Sequence, residues 1–240
     1  MLASLLAAAL LVPGWTPGTR AADSFAATRR GTVSYAVRTE HRLWGRDPDR
    51  RVASASVIKA LLLVAYLRDE RVRRRPLRAA DRRLLSPMIR WSQNAAASTL
   101  VTRLGAARIN RTAHRSGMPG FALASPWGLS LISAREETRF MLHIDRRIPP
   151  RHRAYGMRLL RTVVHTQRWG IAEVAPPGWT LYFKSGWGSG RGRVEHQVAL
   201  LQRGRERVSV AILTTAQGTH RYGTRTLRGI AWRLLRRLSA

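Results

Sequence analysis

Ser54-Ala55-Ser56-Val57-Ile58-Lys59 runs at once into the apolar stretch Ala60 to Leu67, and these residues together decide how the chain folds. The spacing predicts a helix opening at Ser56, with an interior that is almost wholly apolar. Lys59 lies three residues beyond Ser56, so the two side chains project from one face of that helix. An amine is thereby set beside a hydroxyl. Serine is a poor nucleophile until a neighbouring base takes its proton, and a lysine desolvated in an apolar wall has its pKa lowered enough to be that base. The helix N-terminus also favours developing negative charge.

One S-x-x-K is a weak signal, but composition singles out this lysine. Of the 43 basic residues only Lys59 and Lys184 are lysines, which leaves 41 arginines. Arginine stays protonated at any working pH, so it cannot replace a lysine that must give up a proton. Both lysines are therefore candidates for chemistry.

The N-terminal segment Leu2 to Val12 is apolar, too short to span a bilayer as a helix, and followed by the small-x-small pattern Thr19-Arg20-Ala21. It reads as a secretory signal peptide over 1–21 that lacks the usual positive start, giving a mature chain from Ala22 with no membrane span. The expected location is extracytoplasmic, in a bacterial envelope or secreted. The chain has no cysteine, which agrees with an exported protein without disulfides. A net charge of +30 needs no more than arginine drift from biased codon usage, and it also allows an anionic envelope surface as a partner, which fits export. The basic clusters Arg71 to Arg75, Arg146 to Arg153 and Arg228 to Arg237 are not interleaved with aromatics in a stacking pattern and no nucleic-acid motif accompanies them, so no specific nucleic-acid partner is expected.

Along the chain, Gly31 to Val37 and His41 to Trp44 alternate like two strands joined by a tight turn. Helices are expected over Leu84 to Trp91, Ala95 to Leu104 with Ser92 or Asn94 as cap, Ser133 to Leu142 from a capping-box spacing, and Arg153 to Val164. Strands are expected at Thr180 to Lys184, Val194 to Gln202 and Val208 to Leu213, then a basic amphipathic helix from Leu227 to Leu238. This order implies an α+β fold in a single unit: an antiparallel sheet built from both termini (about 22–54 and 180–240), flanked by helices, with an inserted helical lobe (about 55–179). The crevice between the lobes is the expected site.

Lys184-Ser185-Gly186 completes an ordered trio with Ser56-x-x-Lys59 and Ser92-Gln93-Asn94. In this trio, from about Thr32 onward, the chain resembles the class A β-lactamase and penicillin-binding serine hydrolase superfamily. Trp127-Gly128 and the Ser133 helix are similar to the segment just beyond that family's omega region; Gln167-Arg168-Trp169-Gly170 matches less well. The resemblance implies a β-lactamase-like fold and a nucleophile, Ser56, with Lys59 as its base. It further implies Ser92 as proton relay to the leaving nitrogen, Asn94 as a substrate or lysine contact, and Lys184 and Ser185 as readers of a substrate carboxylate. Gly186 would let substrate lie along the strand, and the backbone N–H groups of Ser56 and Trp187 would form the oxyanion hole. From the residues alone, Ser92 and Asn94 serve equally as helix caps and Lys184 as a strand-end charge.

Two departures from the family pattern stand out. The middle motif has glutamine where aspartate is commoner, and no E-x-x-L-N glutamate is present to prime a deacylating water. The acids between Asn94 and Lys184 are Glu136, Glu137, Asp145 and Glu173; the first two sit in a helix's first turn, where dipole and capping account for them. The seven histidines show no ligand spacing, so no metal or other cofactor is expected. The resulting expectation is a monomeric exported serine hydrolase acting on β-lactams or cell-wall acyl groups, with slow deacylation. A D,D-peptidase or penicillin-binding protein, and a basic envelope-binding module without turnover, are the alternatives.

Overall fold

The computed structural model describes residues 15–188 and 193–238, and the apolar run after Lys59 lies at its centre. In chain order the elements are α1 (Thr19–Ala27), β1 (Thr32–Arg38), β2 (Leu43–Arg46), β3 (Val52–Ala53), a 3-10 turn (Ala55–Ile58), α2 (Lys59–Leu67), α3 (Glu70–Arg73), α4 (Ala79–Arg90), α5 (Asn94–Leu104) and α6 (Ala106–Arg115). Then come β4 (Leu131–Ile132), α7 (Ala134–Leu142), α8 (Ile144–Arg147), α9 (Pro150–Arg161), α10 (Ile171–Val174), β5 (Thr180–Gly188), β6 (Val194–Arg203), β7 (Glu206–Thr215) and α11 (His220–Leu235). Every residue of α2 is buried, as its apolar composition requires.

The main sheet is antiparallel in the order β2-β1-β7-β6-β5, so both ends of the chain build it. Its inner strands are covered on both sides. Tyr35, Val37, Phe183, Ala199, Leu201, Val210 and Ile212 pack towards α1 and α11, while Ala36, Val198, Leu200, Ala211 and Leu213 join the helical core around α2. This double burial explains the unbroken apolar stretches Val198 to Leu201 of β6 and Val210 to Leu213 of β7. β5 is left as an edge, facing the helical lobe with its even-numbered side chains.

Several boundaries differ from expectation for local reasons. The second strand is shifted to Leu43–Arg46 by the pairing of Tyr35 with Arg46. α4 starts five residues earlier than its apolar pattern suggests, because Asp81 accepts from the Arg78 N–H at 2.6 Å and secures a polar first turn. α11 likewise starts at His220, capped by the Thr219 hydroxyl accepting from Tyr222 N at 3.1 Å. α9 runs over Pro150–Arg161, with proline in its first turn, and not over Arg153 to Val164. Neither Ser92 nor Asn94 caps α5. α7 lies within the span assigned to the helical lobe yet packs on β1 and β7.

The N-terminal expectation meets a structured element. Residues 1–14, which carry the apolar segment, lie outside the described residues. A cut after Ala21 falls inside α1, whose Ala22 and Ala26 are buried in the core shared with α11. Among the described residues no helix is long and apolar enough to cross a membrane.

Candidate active site

Ser56 and Lys59 owe their closeness to the turn that begins α2: the Lys59 Nζ lies 2.8 Å from the Ser56 Oγ. The same Nζ lies 2.6 Å from the Ser92 carbonyl oxygen, 2.7 Å from Asn94 Oδ1 and 3.2 Å from Ser92 Oγ. Two of these partners, the carbonyl and the amide oxygen, can only accept. They take two N–H bonds, and the third tetrahedral position of the nitrogen points at a serine that is able to donate. Burial holds the Lys59 ammonium down to about 7, so a neutral amine with its lone pair on Ser56 is accessible near neutrality. Ser92 presents its carbonyl this way from a left-handed backbone, φ 58°.

The second lysine arrives from the opposite wall. Lys184 on β5 is fully buried, donates to Ser185 O at 2.6 Å and reaches Ser92 Oγ at 3.0 Å. Desolvation first, and the nearby Lys59 second, push its pKa well below the ordinary lysine range. Ser92 Oγ thus sits between two amines. With a lone pair taken by a Lys184 N–H, its own proton is free to be donated to a third group in the cleft.

The β5 edge is pressed against the serine turn. A Cβ on Gly186 would stand 2.8 Å from Val57 N and 3.0 Å from both Ser54 O and Ser56 N, so only glycine permits this approach. Because β5 is an edge strand, alternate backbone groups point out of the sheet, available to a chain or ring lying beside it. All the candidate residues therefore gather where the two lobes meet: Ser56, Lys59, Ser92, Asn94, Lys184, Ser185, Gly186 and Trp187.

Two residues that fix this arrangement are invisible in the sequence. His196 on β6 is fully buried and held neutral, its pKa pushed down to about 4 by burial. Its Nδ1 accepts from Thr214 N and its Nε2–H donates to Ala53 O, both at 3.0 Å, which ties the strand leading into the serine turn to the central sheet. Gln197 donates to Ser185 Oγ at 3.0 Å and Trp169 O at 2.6 Å, and accepts from Ile171 N at 2.7 Å. Both contacts depend on strand register, which no local pattern encodes.

The acids are placed differently from their expected role as helix-terminus charges. Glu136 turns its carboxylate to Gly120 N at 2.9 Å and to Arg51, so only the Ser133 half of the capping box forms. Glu137 is buried, and desolvation with some repulsion from Glu136 raises its pKa to about 8. Asp145 pairs with Arg207, and Glu173 accepts from Gly170 N. Among the described residues no carboxylate hydrogen-bonds to Ser56, Lys59, Ser92 or Lys184, and no group of His, Cys, Asp or Glu is arranged to hold a metal ion.

Glu137 has a measurable consequence. Its folded pKa near 8 stands above the ordinary 4.5, so between those values the folded state binds more protons than the unfolded chain and stability falls as pH rises. Glu137→Gln removes that slope. Melting curves of protein and variant are expected to agree near pH 4.5 and to separate in the variant's favour by about 5 to 10 °C at pH 8, the worth of a few kcal/mol. A pH-independent difference would contradict the buried, protonated carboxyl.

Comparison with known proteins bears on the family and the fold. A model of the beta-lactamase enzyme family matches residues 74–238, which begins beyond Ser56 and Lys59. No curated protein matches the chain. Among solved structures, the class A beta-lactamase from Mycobacterium abscessus is 18% identical, with a TM-score of 0.79 over 93% of this chain and 100% of its own. The beta-lactamase from Sphaerobacter thermophilus is 20% identical, with a TM-score of 0.75 over 92% of this chain and 96% of its own. PBP-A is 18% identical, with a TM-score of 0.76 over 92% and 95% respectively. At these identities the solved structures establish the fold alone.

Proposed function

The chain belongs to the beta-lactamase enzyme family and is a serine hydrolase of that kind; from this premise we propose that it is an exported enzyme of the class A type, acylated on Ser56 by β-lactams or related cell-wall acyl groups. Neutral Lys59 takes the Ser56 proton as Oγ attacks the carbonyl carbon. Backbone N–H groups of Ser56 and Trp187 hold the oxyanion, with the Gly186 contact keeping β5 beside the serine turn. The C–N bond then breaks as Ser92 passes its proton to the nitrogen, and Lys59 returns a proton to Ser92 across their 3.2 Å contact. Lys184 and the Ser185 hydroxyl receive the substrate carboxylate, and Asn94 holds Lys59. The observation that carries the reading is the Lys59 nitrogen, desolvated and directed at Ser56 by two acceptor-only partners.

Brief exposure to penicillin is expected to add one penicillin mass to the intact protein, and none to Ser56→Ala. An adduct on the variant would move the nucleophile elsewhere. A D,D-peptidase is the second reading, favoured by the site's lack, among the described residues, of a carboxylate bonded to the serine or its lysines. It predicts release of the terminal residue from a peptidoglycan-stem peptide at a rate above that of β-lactam hydrolysis.

Export is part of the proposal and rests on the apolar Leu2 to Val12 segment. Processing after Ala21 would remove the first turn of α1 and Trp15, whose ring packs edge-on against Trp44 at 6.1 Å. N-terminal sequencing of exported material distinguishes a start at Ala22 from one that leaves α1 whole.

A further inference from the structure

On the face of β5 that carries Ser185, a group of rings that the acyl-transfer steps do not use reaches the edge of the site, the Trp187 ring centroid lying 5.9 Å from the Lys184 Nζ. Ser185 and Trp187 are two apart on β5 and so share one face of the sheet. Directly opposite them on β6, and on that same face, are Gln197 and Glu195. The Trp187 ring meets Trp169 edge-on at 5.8 Å between centroids, and His220 lies 5.4 Å from Trp169 and 6.1 Å from Trp187. The three rings are open to solvent in part, and the His220 side chain is 52% exposed.

His220 and Trp169 are held from behind. His220 donates through Nδ1–H to Glu195 Oε1 at 2.9 Å, and that carboxylate is buried. Gly223 makes the space for it, since a Cβ there would stand 2.1 Å from the Glu195 Cγ. The Trp169 backbone is fixed by Gln197, the residue that also bonds Ser185. A half-exposed aromatic surface that is fixed in advance is what a flat ligand group needs, because little order remains to be imposed on binding.

We infer that Trp169, Trp187 and His220 form a subsite for a planar aromatic or heteroaromatic group carried by the substrate beside its carboxylate, with Glu195 as the positioning residue for His220. The inference rests on the acyl-transfer reading above. Its structural basis is the shared face of Ser185 and Trp187, which puts the rings next to the proposed carboxylate reader.

The test uses two cephalosporins that differ only in the substituent next to the carboxylate, methyl in one and a planar heteroaromatic ring in the other. The ratio of their acylation rates is read by intact mass on the full chain. The ratio is expected to fall about fivefold from wild type in Trp169→Leu and in His220→Ala, the worth of one aromatic contact. Glu195→Ala should lose selectivity and Glu195→Gln, which keeps an acceptor for His220, should restore it. Trp232→Leu, an exposed ring on the same helix, serves as control and leaves the ratio unchanged. An equal ratio in wild type, Trp169→Leu and His220→Ala would overturn the subsite while leaving acylation intact. Absence of any adduct on wild type would instead overturn the acyl-transfer reading, and the subsite with it.

Discussion

Lys59→Arg is expected to slow acylation of Ser56 by about three orders of magnitude, within the range attributed to a general base, in a chain that carries 41 arginines elsewhere without difficulty. The reason is chemical before it is steric. Guanidinium does not give up its proton at any working pH, so the position facing Ser56 Oγ at 2.8 Å would hold a donor where the reaction needs a lone pair. The pH profile distinguishes loss of a base from misfolding. In wild type the acylation rate should rise through pH 7, where burial has brought the Lys59 ammonium, and level off above it. The variant should show no such rise. Lys59→Met, which removes the base and adds no charge, guards against a folding artefact and should be equally slow. Lys184→Arg is expected to be milder and to act chiefly on KM, since its partners, Ser185 O and Ser92 Oγ, accept equally from a guanidinium. Equal losses at the two lysines, measured by intact mass at early times, would contradict the division of roles between them.

How much of this was legible beforehand divides along the range of the contacts. The Ser56 and Lys59 pair follows from a three-residue spacing that keeps both on one face, although the structure puts Ser56 in a 3-10 turn and begins α2 only at Lys59. Scarcity of lysine pointed to Lys184 before any contact was known, and the structure brings both lysines to one hydroxyl, that of Ser92. The sheet from both termini was legible because its strands are short apolar or alternating runs bounded by glycine. What stayed hidden needs the register of one strand on another. His196 reaches Ala53 across 143 residues, and Gln197 meets Ser185 only because β6 runs antiparallel to β5 at that offset. Glu137 misled for a related reason. Its place in a first turn is explained by the helix dipole, and nothing local shows that this face of α7 is packed into the protein.

A β-lactam is expected to leave an adduct on Ser56 that persists for minutes or longer, with weak overall hydrolysis. Acylation needs a nucleophile, a base and an oxyanion hole. Hydrolysis of the resulting ester needs in addition a base that aims water at the carbonyl carbon. The acids that sequence offered for this are engaged elsewhere: Glu136 with Arg51 and Gly120, Asp145 with Arg207, Glu173 with Gly170. Glu137, buried and raised to about 8, keeps its proton at neutral pH and is then no base. Lys59 regains its lone pair after acylation, but Ser92 O and Asn94 Oδ1 still hold its two N–H bonds, so the lone pair remains aimed at the Oγ that has become the ester oxygen. That direction serves to return a proton to Ser56 at the end. It does not serve to take one from water at the start. Intact mass followed over time beside stopped-flow hydrolysis of a chromogenic cephalosporin measures both steps. Fast, steady turnover with no detectable adduct would mean that a deacylating base operates after all, and Glu137→Gln would be the first variant to make, because loss of turnover there would show that substrate binding frees this carboxyl of its proton.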